Sequence, residues 1–130
     1  MAEHLDSYLK TNGAVGHIWR GMPTLLLTTT GRRSGEERIL PLLYGRDGNR
    51  YVLVASMGGA PDHPAWYKNL VDDPEVRVQV GADRFRARAR TANRDERPRL
   101  WRLMTKLFPT YDKYQAITRR EIPVILIERH

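Results

Sequence analysis

Residues 25–44 double back on themselves, and that reversal excludes most architectures open to a chain of 130 residues. Leu25-Leu26-Leu27 and the three threonines after it make one β-rich run, and Ile39 to Tyr44 makes a second. Between them lies Gly31-Arg32-Arg33-Ser34-Gly35. Two such runs joined by a glycine-bracketed turn predict a hairpin, and a hairpin commits the sheet to antiparallel neighbours. Its tip offers backbone N–H groups and guanidinium charge to an anion, phosphate above all. The same residues fit a solvated basic turn, and the turn alone leaves both readings open.

The pattern recurs downstream. Arg46-Asp47-Gly48-Asn49 is a second tight turn, so Thr24–Thr30, Glu37–Arg46 and Tyr51–Ser56 are predicted to form a meander. Glu75–Val80 and Arg84–Thr91 make another hairpin across Gly81-Ala82, and Ile122–Glu128 is a last, strongly β-branched strand. Helices are predicted at the N-terminus up to Asn12-Gly13, and from an Asp62 N-cap through Leu70 to Asp73-Pro74. A third follows a capping box at Asn93 and Glu96 and ends before Pro109, and a fourth runs from a Thr110 cap through Arg119. Six strands without a βαβ rhythm read as a mainly β, α+β fold, an antiparallel barrel with helical insertions. Residues 1–20 form a helix and connector, and 21–130 a single domain.

Composition narrows the partners. The net charge of +7 favours anions, and arginine, which dominates the cations, grips phosphate and carboxylate in a fork that lysine lacks. Arg84, Arg86, Arg88 and Arg90 alternate onto one strand face. No aromatics interleave as base-stacking platforms, so this is a solvated face and no nucleic acid is expected. His4, His17, His63 and His130 are scattered and there is no cysteine, so no metal site is expected. Nucleophile-elbow, P-loop and dinucleotide-binding motifs are missing. No apolar run approaches the ~20 residues that span a bilayer. Met1 to Asp6 lacks the start of a secretory signal, so a cytoplasmic location is expected. The amphipathic N-terminal segment either packs on the barrel or makes a peripheral membrane contact.

Three further groups of residues could build a site. The glycines of Ser56-Met57-Gly58-Gly59 permit close backbone approach to a ligand just ahead of a helix. Trp66 and Asn69, three apart, share a helix face that suits a heteroaromatic ring, although Trp66 fits a plain core as well. Phe108, Tyr111 and Tyr114 form a stripe that suits either core or pocket.

Five segments carry a resemblance in register. They are Leu-Leu-Leu-Thr-Thr-Thr-Gly-Arg-Arg-Ser-Gly (25–35), Arg38 with Pro41 and Leu42, Val-Ala-Ser-Met-Gly-Gly (54–59), Pro-Ala-Trp-Tyr-Lys-Asn-Leu (64–70) and Pro-Thr-Tyr-Asp-Lys-Tyr-Gln (109–115). Arg-Arg-Glu-Ile-Pro-Val (119–124) also matches. From about residue 20 to its end the chain resembles the deazaflavin (coenzyme F-420)-dependent nitroreductase family. The resemblance implies a six-stranded split β-barrel of the flavin-reductase/FMN-binding type. It also implies coenzyme F-420, an 8-hydroxy-5-deazaflavin with a phosphate and an oligoglutamate tail. Arg32, Arg33, Ser34 and Arg38 would then hold phosphate and tail, while Pro41, Val54, Ser56, Met57 and Gly58 line the ring or its linker and Trp66 and Asn69 close the site. Leu43, Phe108, Tyr111 and Tyr114 would form the acceptor pocket.

The implied reaction is hydride transfer from reduced coenzyme to a small-molecule acceptor (a quinone, a nitroaromatic or an α,β-unsaturated compound), with a proton from solvent, Tyr111 or Tyr114. Three residues depart from the family pattern: Arg33 and Met57 stand where lysine is common, and Leu43 where tyrosine occurs, which moves the phenol to Tyr44 on the other face. An FMN-dependent reductase on the same barrel, a non-catalytic cofactor- or lipid-binding protein, and a homodimer all stay compatible with the sequence.

Overall fold

The computed structural model describes residues 2–11, 13, 18–19 and 22–130. The helix α1 (Ala2–Thr11) leads through β1 (Ile18–Trp19) into the hairpin of β2 (Met22–Thr30) and β3 (Glu37–Leu43). A second hairpin, β4 (Gly45–Asp47) and β5 (Arg50–Val54), is followed by a single 3-10 turn at Met57–Gly59 and by α2 (Ala65–Asp72). Then come β6 (Glu75–Val80), β7 (Asp83–Thr91), α3 (Arg97–Leu107), α4 (Thr110–Ile117) and β8 (Val124–Arg129). Every strand pairing is antiparallel, in the order β1-β2-β6-β7-β8-β5-β4, with β3 on the other edge of β2. The connector residues 12, 14–17 and 20–21, on which part of the N-terminal reading falls, lie outside the described residues.

Two expectations fail here for one physical reason. The predicted strand Glu37–Arg46 breaks at Tyr44, so the barrel has seven strands and the two-residue β1, not six. No meander forms either, because β3 and β5 are not neighbours in the sheet. The Tyr44 side chain is buried, and its N–H makes the last bond to β2 in the register of the hairpin, donating to the Pro23 carbonyl at 3.1 Å. The next residue lies so close under α3 that a Cβ on Gly45 would come within 2.6 Å of Met104 Sδ. Beyond that crossing the chain joins β5 at the far end of the sheet, leaving a gap between β3 and β5.

The gap is framed by two cores. Leu25, Leu27, Leu53, Val76, Val78, Phe85, Ile125 and Ile127 fill the inside of the sheet together with Trp66 and Leu70 of α2. Val52, Val54, Val124 and Leu126, on the other faces of β5 and β8, pack under Leu100 and Met104 of α3 and Tyr111 of α4. Strands buried on both faces read as continuous apolar runs, which is how 124–127 appears in the sequence. In β7, Phe85, Ala87 and Ala89 point inward and their arginine neighbours outward, as alternation requires. Arg88 meets Glu75, while Arg90 is held by Glu96 and Glu128.

The helix ends correct some local expectations. Asp62 does not cap α2; its carboxylate accepts from the His63 N–H and from Lys68, and the helix starts behind Pro64, whose φ is −64°. Thr110 is the first helical residue of α4, not its cap, and that helix stops at Ile117. The capping box does form: Asn93 Oδ1 accepts from the Glu96 N–H at 2.9 Å, and Glu96 Oε1 accepts from the Asn93 N–H at 2.9 Å. α1 packs on the barrel through Tyr8, whose buried hydroxyl lies 3.0 Å from the Thr24 carbonyl and accepts from the Gly81 N–H at 2.7 Å. Of the two readings of the N-terminal helix, this shows the packing on the barrel. Among the described residues no helix is long and apolar enough to cross a membrane.

Candidate functional site

The arginine turn is shaped by its own backbone. Gly31 N–H donates to the Glu36 carbonyl at 2.7 Å and Gly35 N–H to the Gly31 carbonyl at 2.8 Å, with Gly35 at φ 72°, where a side chain would be strained. The Ser34 hydroxyl accepts from the Glu36 N–H at 3.1 Å, so it braces the turn from within. The arginines are left facing outward. Asn69 Oδ1 accepts from the Arg32 N–H at 3.2 Å and from Arg32 Nη1 at 3.3 Å, while Asn69 Nδ2 donates to Thr29 Oγ1 at 3.3 Å. This buried amide fastens the turn to α2 while it lines the groove. Arg38 meets only the exposed Glu36, at 3.4 Å, and Arg33 has no side-chain partner among the described residues.

A groove of about 540 Å³ runs from this turn along Arg38, Ile39 and Leu40 to Met57 and to Pro64, Ala65, Trp66 and Asn69 at the start of α2. The N-terminal end of a helix carries partial positive charge, so α2 adds to the field of the arginines. A second cavity of about 330 Å³ occupies the gap between β3 and β5. Leu40, Met57, Pro64 and Trp66 belong to both walls, so the two form one channel. One end is cationic. The other is lined by Pro41, Leu42, Leu43, Leu53 and Val54 and is apolar.

Met57 stands at the junction with a φ of 46°, a left-handed conformation that is uncommon for a side chain of this size. Such strain persists where the surroundings impose it, and it clusters at ligand sites. The following Gly59 (φ 80°) lets the loop lie against α4, because a Cβ there would sit 2.7 Å from the Ile117 side chain.

The aromatic stripe divides. Tyr111 closes the inner end of the channel and is buried; desolvation, with a smaller contribution from Tyr114, pushes its phenol well above the ordinary value, so it holds its proton tightly. Phe108 and Tyr114 are half-buried behind it, their ring centroids 4.9 Å and 6.4 Å from that of Tyr111. With Gly58 they stand outside both walls, whereas Arg32, Arg33, Ser34, Arg38, Pro41, Leu43, Val54, Ser56, Met57, Trp66 and Asn69 all line the channel. Tyr44 turns into the inner core, as alternation after Leu43 requires.

Sequence reasoning gave no role to Arg120, although it lies in the matching segment 119–124; its guanidinium reaches the backbone of the Ser56 loop. A groove of about 490 Å³ also lies on the outer sheet face between Leu9, Ile39, Arg77, Arg84 and Arg86, where Arg77 is paired with Glu37.

Known proteins fit this geometry. A solved F420-H2 dependent reductase superposes with a TM-score of 0.75 at 41% identity, covering 82% of this chain and 94% of that one. A solved domain-swapped dimer gives a TM-score of 0.78 at 37% identity, covering 98% of this chain and 96% of that one. The F420H(2)-dependent quinone reductase Rv1261c of Mycobacterium tuberculosis is 40% identical over 130 residues, which covers 97% of this chain and 87% of that protein. Residues 1–129 match a single family along their whole length. The chain belongs to the F420H(2)-dependent quinone reductase family.

Proposed function

We propose that the chain binds coenzyme F-420 in the channel, with its phosphate and acidic tail at the arginine turn and its ring between Met57, Trp66 and the β3–β5 gap, and that it reduces a quinone there. The observation that carries this reading is the polarity of one continuous channel: three arginines at one end, an apolar slot at the other, and a tryptophan between. A phosphate-bearing ring system with a polyanionic tail has the matching distribution of charge and apolar surface. The split β-barrel is then the architecture in which the failure of β3 and β5 to pair makes room for a flat ring.

The bound coenzyme supplies a hydride. Arg33 and Arg38, which are not committed to internal structure, meet the anionic groups, and Arg32 is held for the same task by Asn69. Trp66 and Met57 fix the plane of the ring, and the apolar wall of Leu43, Val54 and Tyr111 keeps water from the acceptor. A quinone that accepts a hydride becomes a hydroquinone anion, which can take its proton from solvent. Tyr111 serves as wall and not as acid, since its raised affinity for protons makes it a poor donor at neutral pH.

Tyr111→Phe is therefore expected to keep kcat for quinone reduction within about threefold, because it leaves the wall in place. A hundredfold loss with unchanged coenzyme affinity would assign the phenol a chemical role. The functional reading is tested by titrating the protein with oxidised F-420 and with FMN, then mixing it with reduced F-420 and menadione. Binding of F-420 and stoichiometric oxidation of its reduced form support it; binding of FMN alone contradicts it. The likeness to a domain-swapped dimer supports a homodimer.

A further inference from the structure

Arg120 lies in the connection between α4 and β8 and lines neither wall of the channel. Its Nε donates to the Ala60 carbonyl at 2.8 Å, Nη2 to the Ser56 carbonyl at 2.7 Å and Nη1 to the Ala55 carbonyl at 3.2 Å. Nη1 also lies 3.0 Å from His63 Nδ1. A guanidinium has no acceptor, so that nitrogen of His63 must be unprotonated and the imidazole neutral. The Arg120 carbonyl in turn accepts from Gln115 Nε2 at 2.8 Å, which fixes the arginine to α4.

We propose that Arg120 is the positioning residue of the coenzyme channel: it clasps the 55–60 backbone, with neutral His63 as its fourth acceptor, and so sets where Ser56 and Met57 meet the ring. The inference rests on the reading of the channel as the coenzyme site. Its physical basis is that, beside the packing of Gly59 on α4, the loop has few backbone bonds of its own to hold a strained shape. Within 56–60 the backbone closes only two hydrogen bonds, Gly59 N–H to the Ser56 carbonyl and Ala60 N–H to the Met57 carbonyl, and Met57 between them is left-handed. Charge-assisted bonds to three carbonyls are strong enough to maintain that shape.

A consequence follows for acid pH. A proton on His63 would place an imidazolium against the guanidinium and remove one acceptor from the clasp. The groups facing His63 are Arg120 from the α4–β8 connection, Asp62 beside it, and Lys68 and Tyr67 from α2. Burial first, and then Arg120, lower the pKa of His63 below its ordinary value, with Asp62 opposing them. The neutral imidazole is thereby favoured, and the clasp weakens only at acid pH, below the ordinary imidazole range.

The test uses cofactor-free protein first. Amide exchange at Gly59 and Ala60, corrected for intrinsic rates, is expected to speed up about tenfold in Arg120→Gln while β6 and β7 amides stay unchanged. In wild type the same two amides are expected to lose protection between pH 7 and pH 5. In His63→Asn, which keeps an acceptor near the Nδ1 position and does not titrate, they are expected to hold it. With reduced F-420 and menadione, Arg120→Gln is expected to lower kcat more than it weakens coenzyme binding, and Arg120→Lys to recover part of the loss. Unchanged exchange in Arg120→Gln, or the same pH response in wild type and His63→Asn, overturns the proposal. Should Arg120→Gln fail to fold, the comparison of wild type with His63→Asn decides alone. If the loop loosens as described while coenzyme binding and kcat both stay unchanged, the clasp stands and the channel reading falls.

Discussion

Replacing Arg33 and Arg38 together by glutamine is expected to weaken binding of coenzyme F-420 about 100-fold while leaving the protein as stable as before. Both guanidinium groups are exposed. Arg33 has no partner among the described residues, and Arg38 has only Glu36, itself exposed, at 3.4 Å. An exposed pair of that kind contributes little to stability, so the fold should not register the change. A charge-assisted hydrogen bond to a phosphate or carboxylate contributes roughly 1.5 kcal/mol, and two lost contacts amount to about 100-fold in Kd. The effect should shrink as salt is raised, since the site is open to solvent. Fluorescence titration alongside thermal melts separates the two quantities. An affinity within threefold of wild type at low salt would mean that the anionic groups of the coenzyme lie elsewhere.

Gly59→Val is expected to cost about 3 kcal/mol of stability, lowering Tm by roughly 10 °C, and to abolish quinone reduction even in the fraction that stays folded. Two effects add at this position. With φ at 80°, any side chain is strained, and an added Cβ would sit 2.7 Å from the Ile117 side chain and 2.8 Å from the Tyr114 carbonyl oxygen. The carbonyl is backbone and cannot swing aside, so the loop must lift from α4 and carry Met57 out of the channel wall. Gly58→Ala is the control. Its φ is 64° but nothing lies within 4 Å of the added carbon, so only the backbone cost of about 1 kcal/mol applies. Equal melting temperatures for the two variants would show that contact with α4 does not hold the loop.

The hairpins of the fold were legible because their signals are local. Glycine turns and alternation set the β2–β3 and β6–β7 pairings, including the inward Phe85, Ala87 and Ala89 between outward arginines. The break at Tyr44 was not legible, because its cause lies sixty residues away in the close approach of Met104 to Gly45. Without that contact, Glu37–Arg46 has the composition of one strand. Asp62 has the residue type of an N-cap, yet Lys68 and the His63 N–H claim its carboxylate and Pro64 sets the start of α2.

The candidate site shows the same division. The resemblance named eleven residues that line the channel, as well as Tyr111 at its inner end. What a side chain does there is decided by partners. Asn69 is a residue type that could face a ring, and its amide also ties Arg32 of the turn to Thr29. Tyr111 could be an acid by type, but burial tightens its hold on the proton. Arg120 stands in the matching segment 119–124, but its partners were not legible, because they are backbone carbonyls that no residue type records.

The central claim is the location of the coenzyme, and amide chemical-shift mapping of isotope-labelled protein titrated with oxidised F-420 tests it directly. The expected result is a continuous set of shifts at Gly31, Arg32, Arg33, Ser56, Met57 and the Trp66 indole, with Thr28, Arg77, Arg84 and Arg86 on the outer sheet face unmoved. Shifts confined to that outer groove, with the arginine turn and the Trp66 indole silent, would contradict it.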